Sequence, residues 1–412
     1  MKKFFQFILS FGPGIFAIGY TIGTGSVTSM IVAGNNFGME LLWVLFFSCL
    51  FSGVLIYVSG SYYLHTQETG LWAIRKHLPY GKLLAISIIV TVGVGQWNSL
   101  IGILGITSNV IFEILLLNFP SLDAFKYAMV IGIALVVIGI FYILLLKGRY
   151  TIFERVLALF VSLMGFSFVF TLFFVLPQPT DLILGLMPRI PKVDGAGILI
   201  AAFVGTTMAA ATFLSRPLFI QGKGWTLKDF NTQKNDAIVA ALLIFIISGS
   251  IMAVASGSLY GNHQEITHVL DMSKALEPSM GKLAISIFFI GTLSAGLSSI
   301  FPCLMIVPLM LGDFNKGKLD IASKQFKIIT GIACVLALTV PVFGFNPIKG
   351  QIITQVFNVL GLPLVVLCFL ALWNRKNVGL PSKRGLTNSI LIAALIFAFI
   401  ILINGLNDIF NY

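Results

Sequence analysis

The chain has 412 residues, of which 58% are hydrophobic and only 10% charged. A soluble domain carries about a quarter charged residues, so this composition excludes a soluble enzyme or binding module and describes one membrane domain. The net charge of +11, from 26 Lys and Arg against 15 Asp and Glu, would suggest nucleic acid in a soluble protein; here it serves to orient the chain in a bilayer, with no nucleic-acid partner.

Apolar runs between charged or turn-rich breaks predict eleven spans, at 12–33, 41–63, 83–105, 124–146, 151–176, 196–220, 236–258, 282–310, 325–343, 350–373 and 387–406. The opening Met1-Lys2-Lys3-Phe4-Phe5 resembles a signal peptide, but no small-residue cleavage site follows, so the first span is expected to be retained. With the N-terminus inside, only Lys126, Arg189, Lys192, Lys274, Lys282 and Lys349 fall on the outer side and all other Lys and Arg fall inside. That asymmetry predicts a multi-pass protein of the inner (plasma) membrane, with a cytoplasmic N-terminus and an extracytoplasmic C-terminus.

Two spans contain features that favour a break. The first carries Gly19-Tyr20-Thr21-Ile22-Gly23-Thr24-Gly25-Ser26 about halfway across. Non-helical backbone is tolerated at that depth only where it faces protein or a cavity; a helix-packing face of small residues is the alternative. The sixth carries Val204-Gly205-Thr206-Thr207-Met208-Ala209-Ala210-Ala211-Thr212, also midway, although its alanines favour helix. The two positions are equivalent if the first ten spans form inverted five-helix repeats, about 12–176 and 196–373, with an extra helix at 387–406. Such repeats build secondary transporters whose sites lie at paired broken helices.

No Asp, Glu or His falls in the central part of any predicted span, and Glu68, Glu113 and Glu154 near span ends read as solvated boundary residues. Proton coupling needs a titrating group along the path, so coupling to protons is not expected. The segment Asn262-His263-Gln264-Glu265-Ile266-Thr267-His268 with Asp271 lacks zinc spacing and reads as a solvated outer loop. Cys49, Cys303, Cys334 and Cys368 lie in apolar stretches and read as small hydrophobes facing lipid or core. No Walker, Rossmann, haem or nucleophile motif appears, so neither a cofactor nor an enzymatic activity is expected.

Gly12-Pro13-Gly14, Ala33-Gly34-Asn35-Asn36-Phe37-Gly38, Leu41-Leu42-Trp43-Val44 and Thr69-Gly70 resemble the opening of the Nramp family of divalent-metal transporters. Ala295-Gly296-Leu297-Ser298-Ser299, Thr354-Gln355-Val356 and Leu362-Pro363 resemble its later landmarks. The resemblance implies an all-α membrane protein of eleven transmembrane helices, a LeuT-type 5+5 inverted repeat plus one helix, moving a cation by alternating access. It also implies what has been replaced. The family's Asp-Pro-Gly-Asn metal motif falls on Gly23-Thr24-Gly25-Ser26, and its Met-Pro-His on Ala209-Ala210-Ala211. The later histidine of the sixth span falls on Arg216, and the acids of the family's proton pathway fall on Gln96 and Ser99. Gln355 matches a metal-contacting glutamine, with backbone carbonyls at Tyr20 and Thr206 as further donors.

The remaining candidates are neutral: Thr24, Ser26, Gln96, Asn98, Thr207, Thr212 and Gln355. A bare Mn²⁺ or Fe²⁺ is selected by a carboxylate and a soft sulfur. Mg²⁺ keeps its water, so a wide cavity of neutral oxygens is expected to suit a hydrated Mg²⁺. Two alternatives stand beside this one: a carrier for a small neutral or zwitterionic solute such as an amino acid, and a non-transporting membrane sensor or partner subunit. The small cation or solute and the bilayer are the partners the sequence implies.

Overall fold

The computed structural model describes residues 12–147, 150–191, 195–260, 266, 282–343, 347–376, 379–380 and 384–411. The 262–271 segment, Ile266 apart, lies outside them. The first span is α1 (Gly12–Thr21) and α2 (Thr24–Phe37), bent by 53° at the break between them. The second is α3 (Leu42–Thr66); a short α4 (Gly70–His77) precedes the third, α5 (Gly81–Asn118). Then come α6 (Lys126–Leu146), α7 (Tyr150–Leu172) and a short α8 (Pro179–Gly185). The sixth span is α9 (Ala196–Thr207) and α10 (Ala210–Lys223), followed by α11 (Phe230–Leu259) and α12 (Lys282–Lys316). The ninth is α13 (Lys324–Ala337) with α14 (Thr339–Phe343), the tenth α15 (Pro347–Val359) with α16 (Leu362–Trp373), the last α17 (Gly385–Asn411).

Among the described residues ten helices are long and apolar enough to cross a bilayer, and the bent first pair makes an eleventh. The predicted count and all-α class are therefore found. Span ends were underestimated. α5 runs on past residue 105 because Thr107 and Ser108 return their hydroxyls to the carbonyls of Ile103 and Leu104, 2.7 and 2.8 Å away. Hydroxyls bonded one turn back in this way need no water and do not end a buried helix. The short α4 and α8 fall below the span length that hydropathy detects.

Apolar side chains face outward as well as inward. Phe166, Phe173 and Val335 are 69%, 76% and 71% exposed, a distribution that suits lipid and would be a liability in water. The first and sixth spans are instead enclosed, with all of α1 and nearly all of α2, α9 and α10 buried. The helices that break are therefore those that avoid lipid.

The boundary acids are not simply solvated. The Glu154 side chain pairs with Lys223 at 2.9 Å and is 12% exposed; Glu113 is buried. The Glu68 side chain, 18% exposed, pairs with Lys76 at 2.8 Å and His77 at 2.7 Å. Two further acids that the span map set outside or at the edge of helices, Asp236 and Asp313, are buried within α11 and α12 at 2% and 1% exposure. A charged group enters such surroundings only with partners, and both have them.

Candidate functional site

The site forms where the two broken spans cross α5, α12 and α15. At the first break Ile22 closes the last turn of α1 onto Ile18 at 2.9 Å, and Gly23 adopts an extended conformation (φ −100°, ψ −171°) before α2 begins. A helix end leaves carbonyls without intrahelical donors. Here Ser299 of α12 donates to the Gly19 carbonyl at 2.7 Å, and Ser298 does so at 3.4 Å. The sixth span repeats the device. Met208 and Ala209 leave the helix, Ala209 being extended (φ −68°, ψ 120°), and Ser52 of α3 donates to the Thr207 carbonyl at 2.8 Å. The alanines after the break form the first turn of α10, which is where their helix propensity is expressed.

Between the breaks lies a cavity lined by Tyr20, Thr21, Gly23, Gly25, Ser26, Ser99, Ile103, Gly205, Thr206, Ala209, Cys303, Gln355 and Asn358. Gly205 matters for its shape: a methyl there would lie 2.9 Å from the Gln355 carbonyl carbon, so α9 and α15 touch backbone to backbone. The space open to the centre of a water molecule is about 20 Å³. That is room for about one water.

Seven of the residues singled out in the sequence line this cavity: Tyr20, Gly23, Gly25, Ser26, Thr206, Ala209 and Gln355. Five do not. Asn98 returns its amide to the Val94 carbonyl at 2.8 Å, on its own helix. Gln96 stands behind the wall, donating to the Asn358 carboxamide oxygen at 3.1 Å and reaching the Tyr20 side chain. Thr24, Thr207 and Thr212 are buried off the lining, and their hydroxyls have no hydrogen-bond partner. Ser52 takes one lone pair of the Thr207 carbonyl, next to Thr206.

Several wall residues were missed. Asn358 joins the site by donating to Gln355 Oε1 at 2.7 Å and to Ser99 Oγ at 2.8 Å. Its position one turn beyond Gln355 on the same helical face was the available signal. Cys303, read as facing lipid or core, reaches the cavity wall, so sulfur is not wholly absent from the site. The thiolate, not the thiol, is the effective metal ligand. Among the described residues no cluster of three His, Cys, Asp or Glu could hold a metal ion, and no carboxylate lines the cavity.

Among the described residues ten apolar spans and the bent first pair, with two spans broken around a small polar cavity, have the build of a polytopic membrane transporter. The profile described as "Natural resistance-associated macrophage protein-like" (Nramp) matches residues 14–409, and the chain belongs to that family. It is 25% identical to the divalent metal cation transporter MntH of Mycobacterium leprae, over 97% of this chain and 91% of that protein. It is 24% identical to MntH of Caldanaerobacter subterraneus, over 98% and 93%. The fold matches the Eremococcus coleocola manganese transporter, solved with an aromatic bis-isothiourea substituted compound, with a TM-score of 0.75 at 14% identity, covering 99% of this chain and 89% of that one. It also matches Mhp1, a nucleobase-cation-symport-1 family transporter in a closed conformation, at a TM-score of 0.59 and 12% identity, over 97% and 90%. The LeuT-type architecture expected from the sequence is the one found.

Proposed function

We propose that the chain is a secondary transporter that moves a divalent cation by alternating access, favours Mg²⁺ over Mn²⁺ and Fe²⁺, and does so without protons. The cation class is suggested by the relatives' names. The preference within it rests on one observation: the cavity between the two broken spans is walled by hydroxyl, carboxamide and backbone oxygens, with a single thiol and no carboxylate. Neutral oxygen donors suit a hard cation that keeps part of its water, and they give a bare Mn²⁺ neither the charge nor the soft ligand that would hold it.

A shell of six waters occupies roughly 180 Å³ of liquid volume, far above the space present in this conformation. Entry of a hydrated ion therefore requires the two breaks to open, and final binding replaces part of the shell by protein oxygens. The wide cavity expected from the sequence is thus replaced by a narrow one that the hinges at Ile22–Gly23 and Met208–Ala209 must widen. In this reading the first ten spans pair as inverted repeats, about 12–176 and 196–373, with 387–406 as an added helix. The N-terminus is cytoplasmic and the C-terminus extracytoplasmic.

Uptake into proteoliposomes of Mg²⁺, Mn²⁺ and a panel of amino acids, with a pH dye inside, tests the proposal. The expected result is Mg²⁺ flux above Mn²⁺ flux with no change in internal pH. Substrate-driven acidification would refute the absence of proton coupling. Tight binding of Mn²⁺ to the unmodified chain would refute the preference, and no flux of any solute would leave the sensor or partner-subunit reading.

A further inference from the structure

The tenth span carries more polar chemistry than the cavity uses. On α15 the residues Gln351, Gln355 and Asn358 follow at i, i+4 and i+7, the spacing that stacks side chains on one helical face. This face meets α5 at Gln96, Ser99 and Gly102, which recur there at the matching turns. The first two levels are closed by hydrogen bonds among Gln96, Ser99, Asn358 and Gln355. The third is not. Gln351 is 0% exposed, and neither its amide oxygen nor its nitrogen has a hydrogen-bond partner.

Burying a carboxamide with none of its bonds made is strongly unfavourable, and buried polar atoms are almost always paired. An exception of this kind, beside a transport cavity, points to a ligand. Two glycines make the space for the Gln351 amide. The amide nitrogen faces Gly25, where a methyl would lie 2.6 Å from it, and the amide oxygen faces Gly102, where a methyl would press on it and lie 2.8 Å from the carboxamide carbon. Gly25 is itself part of the cavity wall and is also flanked by Gln355. The Gln351 amide therefore stands just behind that wall, one helical turn along α15 from Gln355.

We propose that Gln351 is a second cation-coordinating station, adjoining the central cavity, whose carboxamide, held by no hydrogen bond, turns its oxygen from Gly102 toward Gly25 and contacts the ion as it passes the Gln355 level. This rests on the cation-carrying reading given above. The ligand is a hard divalent cation with part of its water shell, because an amide oxygen is a hard and neutral donor. An amide takes up no proton, so the station adds coordination without adding coupling.

The substitution Gln351→Leu removes both polar atoms at similar volume. On the full-length chain the measurements are thermal unfolding, Mg²⁺ binding by titration, and the KM for Mg²⁺ uptake into proteoliposomes. The expected result is an unfolding temperature unchanged or raised, because the unpaired amide is gone, with a KM about tenfold higher. Gln351→Glu, which places a charged oxygen at the same point, is expected to tighten Mg²⁺ and Mn²⁺ binding about tenfold. A packing role instead predicts a lower unfolding temperature in Gln351→Leu, an unchanged KM and no tightening in Gln351→Glu; that pattern overturns the station. If the unmodified chain carries Mg²⁺ and Gln351→Leu carries it with the same KM, the station falls while the proposed function stands. If the unmodified chain binds neither Mg²⁺ nor Mn²⁺, the function itself falls and takes the station with it.

Discussion

Arg216 and Asp236 meet at 2.5 Å between α10 and α11, with side chains 1% and 2% exposed. The second guanidinium nitrogen donates to the Gln233 carbonyl at 3.4 Å. The carboxylate also abuts the first turn of α1, where a methyl at Gly14 would lie 2.6 Å from Oδ1. The backbone N–H of Gly14 in that turn donates to the carboxylate. One buried carboxylate thus ties α1, half of one broken span, to α10, half of the other, at the same end of both.

Asp236→Ala leaves the Arg216 guanidinium buried and unpaired, and a loss of about 3–5 kcal/mol is expected. The double variant Arg216→Met with Asp236→Leu should cost far less, because it removes both charges together. Denaturant unfolding in detergent distinguishes them; equal losses in the single and double variants would show that the ion pair does not govern stability here.

Asp313 caps a helix it does not belong to. Its carboxylate accepts from the Thr69 hydroxyl and from the backbone N–H of Leu71 at 2.9 Å and Trp72 at 3.4 Å, at the start of α4. Thr69 itself supplies no side-chain cap. Asp313→Ala is expected to destabilise by about 1–3 kcal/mol and to expose α4 to protease. Asp313→Asn keeps an acceptor and should lose less, and limited proteolysis with thermal unfolding reads both effects.

Glu68 lies outside the spans. Burial alone would raise its pKa, but hydrogen bonds and charge from Lys76 and His77 outweigh that and hold the carboxyl below its ordinary value. A carboxyl whose folded pKa is depressed contributes stability that is fully present above its unfolded value, about 4.3, and is lost as pH falls through the lower folded value. Thermal unfolding followed from pH 6 downward should therefore show an acid limb that Glu68→Gln reduces. The effect is modest because the group is partly open to solvent, and identical acid limbs in the two proteins would contradict the assignment.

Restoring the family's ligands by Gly23→Asp, Ser26→Asn and Ala209→Met meets an obstacle that the sequence does not reveal. A Cβ at Gly23 would lie 2.9 Å from the Cβ of Ser299, whose hydroxyl is bonded to the Gly19 carbonyl. We expect the triple variant to bind Mn²⁺ only weakly until Ser299→Gly is added, with titration calorimetry showing at least about tenfold tighter binding in the quadruple variant. Tight binding by the triple variant alone would mean that the first break relaxes more easily than its packing suggests.

Much of the architecture is legible without coordinates. The apolar runs yield all eleven spans, because a bilayer demands length and hydropathy that few other settings require. The stretches around Gly23 and residues 205–207 flag candidate breaks, with a packing face as the alternative at the first and the alanines against the second; the structure shows both. Asp236 and Asp313 are less legible: they sit where a hydropathy window ends, and only packing shows that their helices continue and carry them inside.

The sequence by itself determined the membrane class and the run of apolar spans, and marked two of them as candidates for a break, because each follows from local composition and spacing. Which neutral groups meet was decided by tertiary structure alone. Asn358 and Cys303 reach the cavity while Asn98, Thr24 and Thr212 do not, since helix rotation and close glycine contacts such as Gly205 against Gln355 set which side chains face inward. The width of the cavity belongs to the same class of fact: it depends on how tightly α9 and α15 approach, and a distance between elements far apart in the chain is written in no local pattern.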